Sequence, residues 1–504
     1  MSTARKILSN TIVQILGKAV ITVIALAFIT KPLTGLGDTY YGEYAFVYRF
    51  LGFFAIFADF GLFTIAVREM SEYKNEQSKI IGNIFSIRTI LVVVVMIIAG
   101  LAGMLAGYFD SKFTHTIQLG IWLAGASVVF TMMATTLTSV FQVYYKMFWP
   151  TVATVVAKAI MAIITIWALT KLGTNSIDDF WVNNFHWFFI AGILGNFALF
   201  AITWWYARKL LDITPRFDFG FWKENLRKAL PYGLALILNT FYYQIDSLMI
   251  LPLRKDGSAE VGAYDVSFKI IEILNIIPIY FLNAVLPLLT ASLANETLSK
   301  KIVDYCWRFL LAVSAPIFFG GLALSPQIIA IIVQNPTEGY FAYSHIALNI
   351  LLLSMIFIFL NSVFGFALIA QKRQNELLKI NAICLTFNVC TNLFAITTWG
   401  FLGAAATTLF SEILVLALSM RAVHQRLRFR ISISATLKIL LASTGMFVLL
   451  YLIRDYSLKF TLPLGGLTYL VLLWSLRGIP TEAWSVIRRK PISENENSEK
   501  IIDV

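Results

Sequence analysis

Long apolar runs separated by short polar breaks organise this chain of 504 residues. They fall at roughly 10–30, 43–67, 84–109, 116–143, 149–171 and 183–206. After a basic, amphipathic stretch at 207–228 they resume at 229–253, 264–289, 303–325, 344–370, 377–398 and 400–423. Two weaker runs follow at 435–453 and 460–477. About 20 residues at 1.5 Å rise cross a hydrocarbon core ~30 Å thick. An unpaired backbone N–H or C=O costs several kcal/mol in lipid, so each run must be a helix. The pattern predicts an all-α integral membrane protein with about 14 transmembrane helices. The first run is about twice the usual length of a signal-peptide core, and no small-x-small site precedes Lys31-Pro32, so it reads as the first span.

The pattern also echoes itself. Arg5-Lys6 and Arg227-Lys228 open similar apolar segments. YGEYAFVYR, from Tyr41 to Arg49, matches VGAYDVSFK, from Val261 to Lys269. Gly42 pairs with Gly262, Tyr44 with Tyr264, and Arg49 with Lys269. Six spans per half is an even number, so both halves start on the same side. They form a parallel repeat about the membrane normal, with the site expected at the interface between them. The divisions are an N-terminal six-helix half at 1–206, a cytoplasmic basic linker at 207–228, a C-terminal six-helix half at 229–424, two additional spans at 425–477, and a charged, disordered tail at 478–504.

Composition agrees: 58% of residues are hydrophobic, 13% are charged, and the mean hydropathy is +0.76. The net charge of +12 would suit nucleic acid, but its placement argues otherwise. Lys and Arg crowd one alternating set of short loops, including Arg5-Lys6, Arg208 to Lys228, Lys372-Arg373 and Arg421 to Arg430. That is the positive-inside asymmetry of a multi-pass inner (plasma) membrane protein with both termini cytoplasmic. The longest outward loop, Ser325 to Tyr343 with Pro326, is too short for a catalytic domain. The three cysteines and four histidines have neither disulfide nor metal-ligand spacing. No GxxxxGK[ST], GxSxG or HExxH pattern occurs, so neither ATP-driven transport nor these hydrolytic chemistries is expected.

The informative residues are charges inside the spans, each costing about 2.5–3.5 kcal/mol on insertion scales. Six are basic: Lys18, Arg49, Arg88, Lys158, Lys269 and Arg308. Four are acidic: Asp59, Asp246, Glu272 and Glu412. Arg88 and Arg308 lie near enough to a span end to snorkel. Lys158, near the middle of VATVVAKAIMAIITI, does not. Glu272 is three residues beyond Lys269 and can pair with it. Asp246 has no base within one turn, so its partner is on another helix or it carries a proton part of the time. It is a candidate for proton or sodium coupling, as is Asp59. Asp59, in ADFGL, can instead accept bonds at its helix end.

Polar stripes extend these faces: Asn239, Tyr243 and Asp246; Asp265, Lys269, Glu272 and Asn275; Thr131, Thr135, Thr138 and Gln142; Asn381, Asn388 and Asn392. Such stripes either bond helix to helix or line a wet cavity. Stripes on four helices, several with charge, predict a central cavity of net basic character that favours an anion.

The opening RKILSNTIVQILGKAV, the segment YGEYAFVYRF, ADFGL, and QIDSLMI with VGAYDVSFKI make the chain resemble a Wzx-type oligosaccharide flippase. Those proteins belong to the multidrug/oligosaccharidyl-lipid/polysaccharide exporter superfamily, and the resemblance covers essentially the whole chain. It implies two six-helix bundles around a V-shaped cavity and transport rather than enzymatic activity. The implied substrate is an undecaprenyl-diphosphate-linked oligosaccharide, moved from the inner to the outer leaflet for O-antigen, capsule or exopolysaccharide synthesis. Matched by position, Arg49, Lys158 and Lys269 would meet the diphosphate. No cofactor is implied beyond a coupling H+ or Na+. Polymerase and glycosyltransferase proteins of the same pathway would be partners. Three rivals stand beside this reading: a lipid II flippase, which also has about fourteen spans; a cation-drug antiporter, whose cavity should be acidic; and a membrane glycan polymerase or ligase, which would want a large outward loop.

Overall fold

The computed structural model describes residues 3–173 and 176–478, and the tail at 479–504 lies outside them. Among the described residues every regular element is a helix. The order is α1 (Thr3–Ile24), α2 (Lys31–Thr34), α3 (Asp38–Asp59), α4 (Leu62–Glu72), α5 (Gln77–Phe109), α6 (His115–Val143), α7 (Phe148–Leu169) and α8 (Ile177–Ala207) in the first half. The second half holds α9 (Phe219–Leu253), α10 (Gly257–Leu274), α11 (Ile276–Ser292), α12 (Glu296–Ile332), α13 (Ser344–Ala370), α14 (Gln374–Trp399) and α15 (Phe401–Leu427). Then come α16 (Ile433–Leu452) and α17 (Leu458–Ser475). Among the described residues thirteen helical segments are long and apolar enough to span a membrane. α9 is longer than most of them, at 35 residues, but carries Asn239, Gln244 and Asp246 in its interior. The structure is therefore an all-helical membrane protein.

Several helices depart from the apolar pattern for local reasons. The run at 43–67 is two helices, because Phe60 and Gly61 both adopt left-handed backbone (φ 41° and 76°). That conformation is easy for Gly61 and costs about 1 kcal/mol or more at Phe60. The run at 264–289 also breaks, at Asn275. Pro278 has no N–H for the Leu274 carbonyl and its ring crowds that oxygen, so α10 ends and α11 starts afresh. α12 runs on through Pro316 and Pro326 to Ile332, so Pro326 is helical and not part of a loop. The connection it was assigned to shrinks to 333–338 and a short 3-10 turn, Gly339–Tyr343. α1 passes through a π-helical stretch, Ala25–Thr30, before α2. The basic stretch at 207–228 turns helical at Phe219, ahead of the apolar run.

Counting passes puts the chain start and the basic loops 208–218, 371–373 and 428–432 on one face, called here the basic face. The loops near 35–37, 254–256 and 333–343 lie on the other. On that opposite face the halves meet through α3 and α10. Gly42 and Gly262 face each other so closely that a Cβ on Gly42 would lie 1.7 Å from the Ser258 carbonyl oxygen. Lys31 Nζ donates to the Ala330 carbonyl (3.1 Å), Gln334 N to Thr34 Oγ1 (3.0 Å) and Tyr340 N to Asp38 Oδ2 (2.6 Å). Two apolar cores result: a large one through both halves and a smaller one on the basic face around Leu62, Ile65, Ile81 and Leu137.

Candidate functional site

Where the glycines of α3 and α10 let the backbones touch, the next turns of both helices bring their charges together. Asp265, three residues after Gly262, is 2% exposed and is the hub. It accepts from Arg49 Nε (3.0 Å) and Nη2 (2.9 Å), from Tyr41 Oη (2.6 Å), and from Lys269 Nζ (2.7 Å). The second nitrogen arm of Arg49 bonds Glu272, and Lys269 also reaches the Tyr41 hydroxyl. The Arg49 guanidinium lies 5.1 Å from the centre of the Phe268 ring. Lys269 therefore pairs with Asp265, one turn before it, while Glu272 crosses to Arg49 on the other half. The expected Lys269–Glu272 pair does not form.

This quartet borders two adjoining cavities. One, of about 270 Å³, is lined by Tyr44, Tyr48, Arg49, Lys158, Gln244 and Glu272 among others. The other, of about 330 Å³, is lined by Lys18, Thr22, Thr30, Lys158, Lys269 and Glu272. Two cations and two carboxylates cancel within the quartet. Lys158 and Lys18 have no carboxylate partner among the described residues, and Lys158 Nζ has only the Met161 thioether, at 3.7 Å. The cavity is therefore lined by two lysines without a carboxylate partner, one from α1 and one from α7.

The remaining sequence candidates lie elsewhere. Arg88, 3% exposed, bonds Asp59 and Thr136 Oγ1 (2.8 Å) and sits beside the smaller core of the basic face. It does not line the cationic cavity, because its guanidinium closes the end of α3 against α5 and α6. Arg308 pairs with Asp304 one turn before it on α12 (2.8 Å) and also lies apart from the cavity. The stripe Thr131, Thr135 and Thr138 bonds its own helix carbonyls.

Asp246 and Glu412 are in the second half, without a basic partner among the described residues. Asp246, 3% exposed, accepts from Thr408 Oγ1 (2.5 Å), Asn392 Nδ2 (2.6 Å) and Tyr264 Oη (3.1 Å). Glu412 accepts from Tyr242 Oη (2.8 Å). Among the described residues no cluster of three His, Cys, Asp or Glu side chains could hold a metal ion. A separate apolar cleft of about 360 Å³ lies between α12 and the last two helices, beside Gly320, Met446, Leu450 and Gly465. Sequence reasoning placed Asp265 on a stripe without a role. Its spacing of four from Lys269 was the available signal.

The profile of the polysaccharide biosynthesis protein family matches residues 4–293, more than half of the chain, and that of the MatE family matches 231–394. Among curated proteins none matches. Solved structures share the fold. The lipid II flippase MurJ, in an inward closed conformation, aligns with a TM-score of 0.63 at 16% identity, over 96% of this chain and all of that one. An inward-facing multidrug resistance MATE transporter of the MOP superfamily aligns with a TM-score of 0.63 at 11% identity, over 82% of this chain and 94% of that one. A MOP superfamily transporter from Pyrococcus furiosus, described as having a binding pocket of reverse polarity, aligns with a TM-score of 0.57 at 15% identity, over 84% and 95%.

Proposed function

As this chain belongs to the polysaccharide biosynthesis protein family, within the fold shared by flippases and multidrug transporters, we propose that it flips an undecaprenyl-diphosphate-linked oligosaccharide across the membrane. The observation that carries this reading is the pair of uncompensated cations, Lys18 and Lys158, beside a neutral quartet. A diphosphate brings about two negative charges, which two ammonium groups in a low-dielectric cavity balance. A cationic drug would be repelled there. The apolar cleft beside α16 and α17 suits a prenyl tail, which otherwise stays in lipid.

In the proposed cycle the halves rock so that the α3–α10 contact closes and parts in turn, exposing the cavity first to one face and then to the other. Arg49 and Lys269, bound to Asp265 and Glu272 while the halves touch, become available to phosphate when they part. Asp246 is the proposed site of proton or sodium coupling, its oxygens already bonded to Tyr264, Asn392 and Thr408. A second reading, lipid II as the substrate, is favoured by the full-length likeness to the lipid II flippase, which includes the last two helices. Both substrates carry the diphosphate.

The test is translocation of a fluorescent undecaprenyl-diphosphate saccharide in proteoliposomes, read by quenching with a membrane-impermeant reductant. Losing one charged hydrogen bond to phosphate removes about 1.5–3 kcal/mol, so Lys158→Gln should slow flipping about 10- to 150-fold. Wild-type flipping by that variant would end the anion-cavity reading. Faster flipping of lipid II than of other saccharide lipids would select the second substrate.

A further inference from the structure

A cavity of about 230 Å³ lies inside the second half, between α9, α13, α14 and α15, apart from the cationic cavity. Asn239, Tyr242 and Tyr243 project into it from α9, Asn361 from α13, Asn381 from α14 and Glu412 from α15. We propose that it is a subsite for a neutral or amino-substituted sugar ring of the transported saccharide. The inference rests on the flippase reading above and names the part of the substrate that the lysines do not hold.

Hydrogen-bonding capacity is the first argument. Each asparagine side chain offers two N–H donors and one acceptor with two lone pairs. Among the described residues the amides of Asn239, Asn361 and Asn381 and the hydroxyl of Tyr243 bond to no protein group. The Asn361 Oδ1 is fully buried without a partner. A buried polar group left unmatched costs about 1–3 kcal/mol, so helices in lipid normally pair their amides with one another. Two further amides of α14 do donate to neighbours: Asn392 to Asn388 Oδ1 (3.0 Å) and to Asp246, and Asn388 to Ser411 (3.4 Å). Of that stripe, Asn381 faces the cavity instead. The amides of Asn239, Asn361 and Asn381 and the Tyr243 hydroxyl thus gather around one cavity, where a hydroxyl-rich ring can donate to and accept from them. The rings of Tyr242 and Tyr243 supply flat faces for the C–H side of a sugar.

Charge narrows the class of sugar. Glu412 is the only carboxylate in this lining, which holds no Lys, Arg or His, and one of its oxygens accepts from Tyr242. The neighbouring small cavity is shared by Glu412 and Asp246, so no cation offsets the carboxylates locally. A uronic acid would meet like charge, while a hydroxyl or ammonium group would bond the free Glu412 oxygen. Positive charge is collected at Lys18 and Lys158, acidic charge here. The site is sorted by sign, with the diphosphate end at one place and an uncharged or amino sugar at the other.

The test is binding by the full chain in nanodiscs. The probes are bare undecaprenyl diphosphate, the same lipid carrying N-acetylglucosamine, glucosamine or glucuronic acid, and tetraphenylphosphonium. The wild type should bind the N-acetylglucosamine and glucosamine lipids about tenfold tighter than the bare lipid, and the glucuronic acid lipid no tighter. The double variant Asn361→Leu, Asn381→Leu should lose that gain while its affinity for the bare lipid stays unchanged, which also reports that it is folded. Glu412→Gln should let the glucuronic acid lipid gain as much as the N-acetylglucosamine lipid. It decides the matter if the leucine variant does not fold. A sugar gain that survives these substitutions, or no gain in a wild type that binds the bare lipid, overturns the subsite alone. If the variants lose tetraphenylphosphonium binding and the wild type shows no sugar gain, the cavity is a cation site and the proposal fails. Failure of the wild type to bind the bare lipid overturns the flippase reading itself.

Discussion

Asp265→Asn isolates the contact that holds the two halves together. The carboxylate is 2% exposed and receives four hydrogen bonds, three of them from cations, with Arg49 Nη2 at 2.9 Å and Lys269 Nζ at 2.7 Å. At an effective dielectric of about 20, each such pair has a gross attraction of roughly 6 kcal/mol, most of it spent on desolvation. Removing one partner of a buried pair typically costs about 3–5 kcal/mol. Arg49 keeps Glu272 and the new amide oxygen still accepts, so the lower figure, about 3 kcal/mol, applies. It falls on the arrangement in which α3 and α10 touch, and shifts the equilibrium toward separated halves by about 150-fold. Thr34, 1% exposed at the same face, accepts from Gln334 N across the halves and reports their separation. A cysteine there, in a Cys390→Ser background, reacts with a membrane-impermeant maleimide only when the halves part. Its labelling rate should rise on the order of 100-fold with Asp265→Asn. An unchanged rate in a folded variant would refute the claim that this carboxylate latches the halves.

Other outcomes follow from the same geometry. Gly42→Val should block the contact outright, because its Cβ would lie 1.7 Å from the Ser258 carbonyl oxygen. Labelling at position 34 should become fast, and flipping should stop. Arg88→Met should lower thermal stability by about 3–5 kcal/mol, since it leaves Asp59 half-buried without its cation, yet the affinity for undecaprenyl diphosphate should hold. A selective loss of lipid affinity would put Arg88 in the substrate path. Asp246→Asn should abolish any dependence of flipping on a sodium or proton gradient; a full gradient response in that variant would remove it from coupling.

Apolar runs near 20 residues, broken by short polar turns, determined the membrane class and the helical content, because hydrocarbon leaves the backbone no other way to satisfy itself. The match of Val261–Lys269 to Tyr41–Arg49 marked in advance the two helices that meet, since glycines at equal places permit a close crossing. The value of each charge was not legible in the chain. Arg49, Lys158 and Arg88 look alike as bases within apolar runs. Only packing shows that Arg49 is neutralised from the other half, that Arg88 seals a helix end against Asp59, and that Lys158 forms no ion pair with a carboxylate among the described residues. Helical spacing allowed Lys269 either Asp265 or Glu272, and the crossing of α3 chose by claiming Glu272 for Arg49. The asparagines of α14 were equivalent on paper. Asn388 and Asn392 turn toward Asp246 and Ser411, whereas Asn381 opens into a cavity. Local sequence sets which residues share a helix face. What stands opposite that face belongs to another helix, often more than a hundred residues away, and that alone decides whether a buried charge is paired, structural or free to bind.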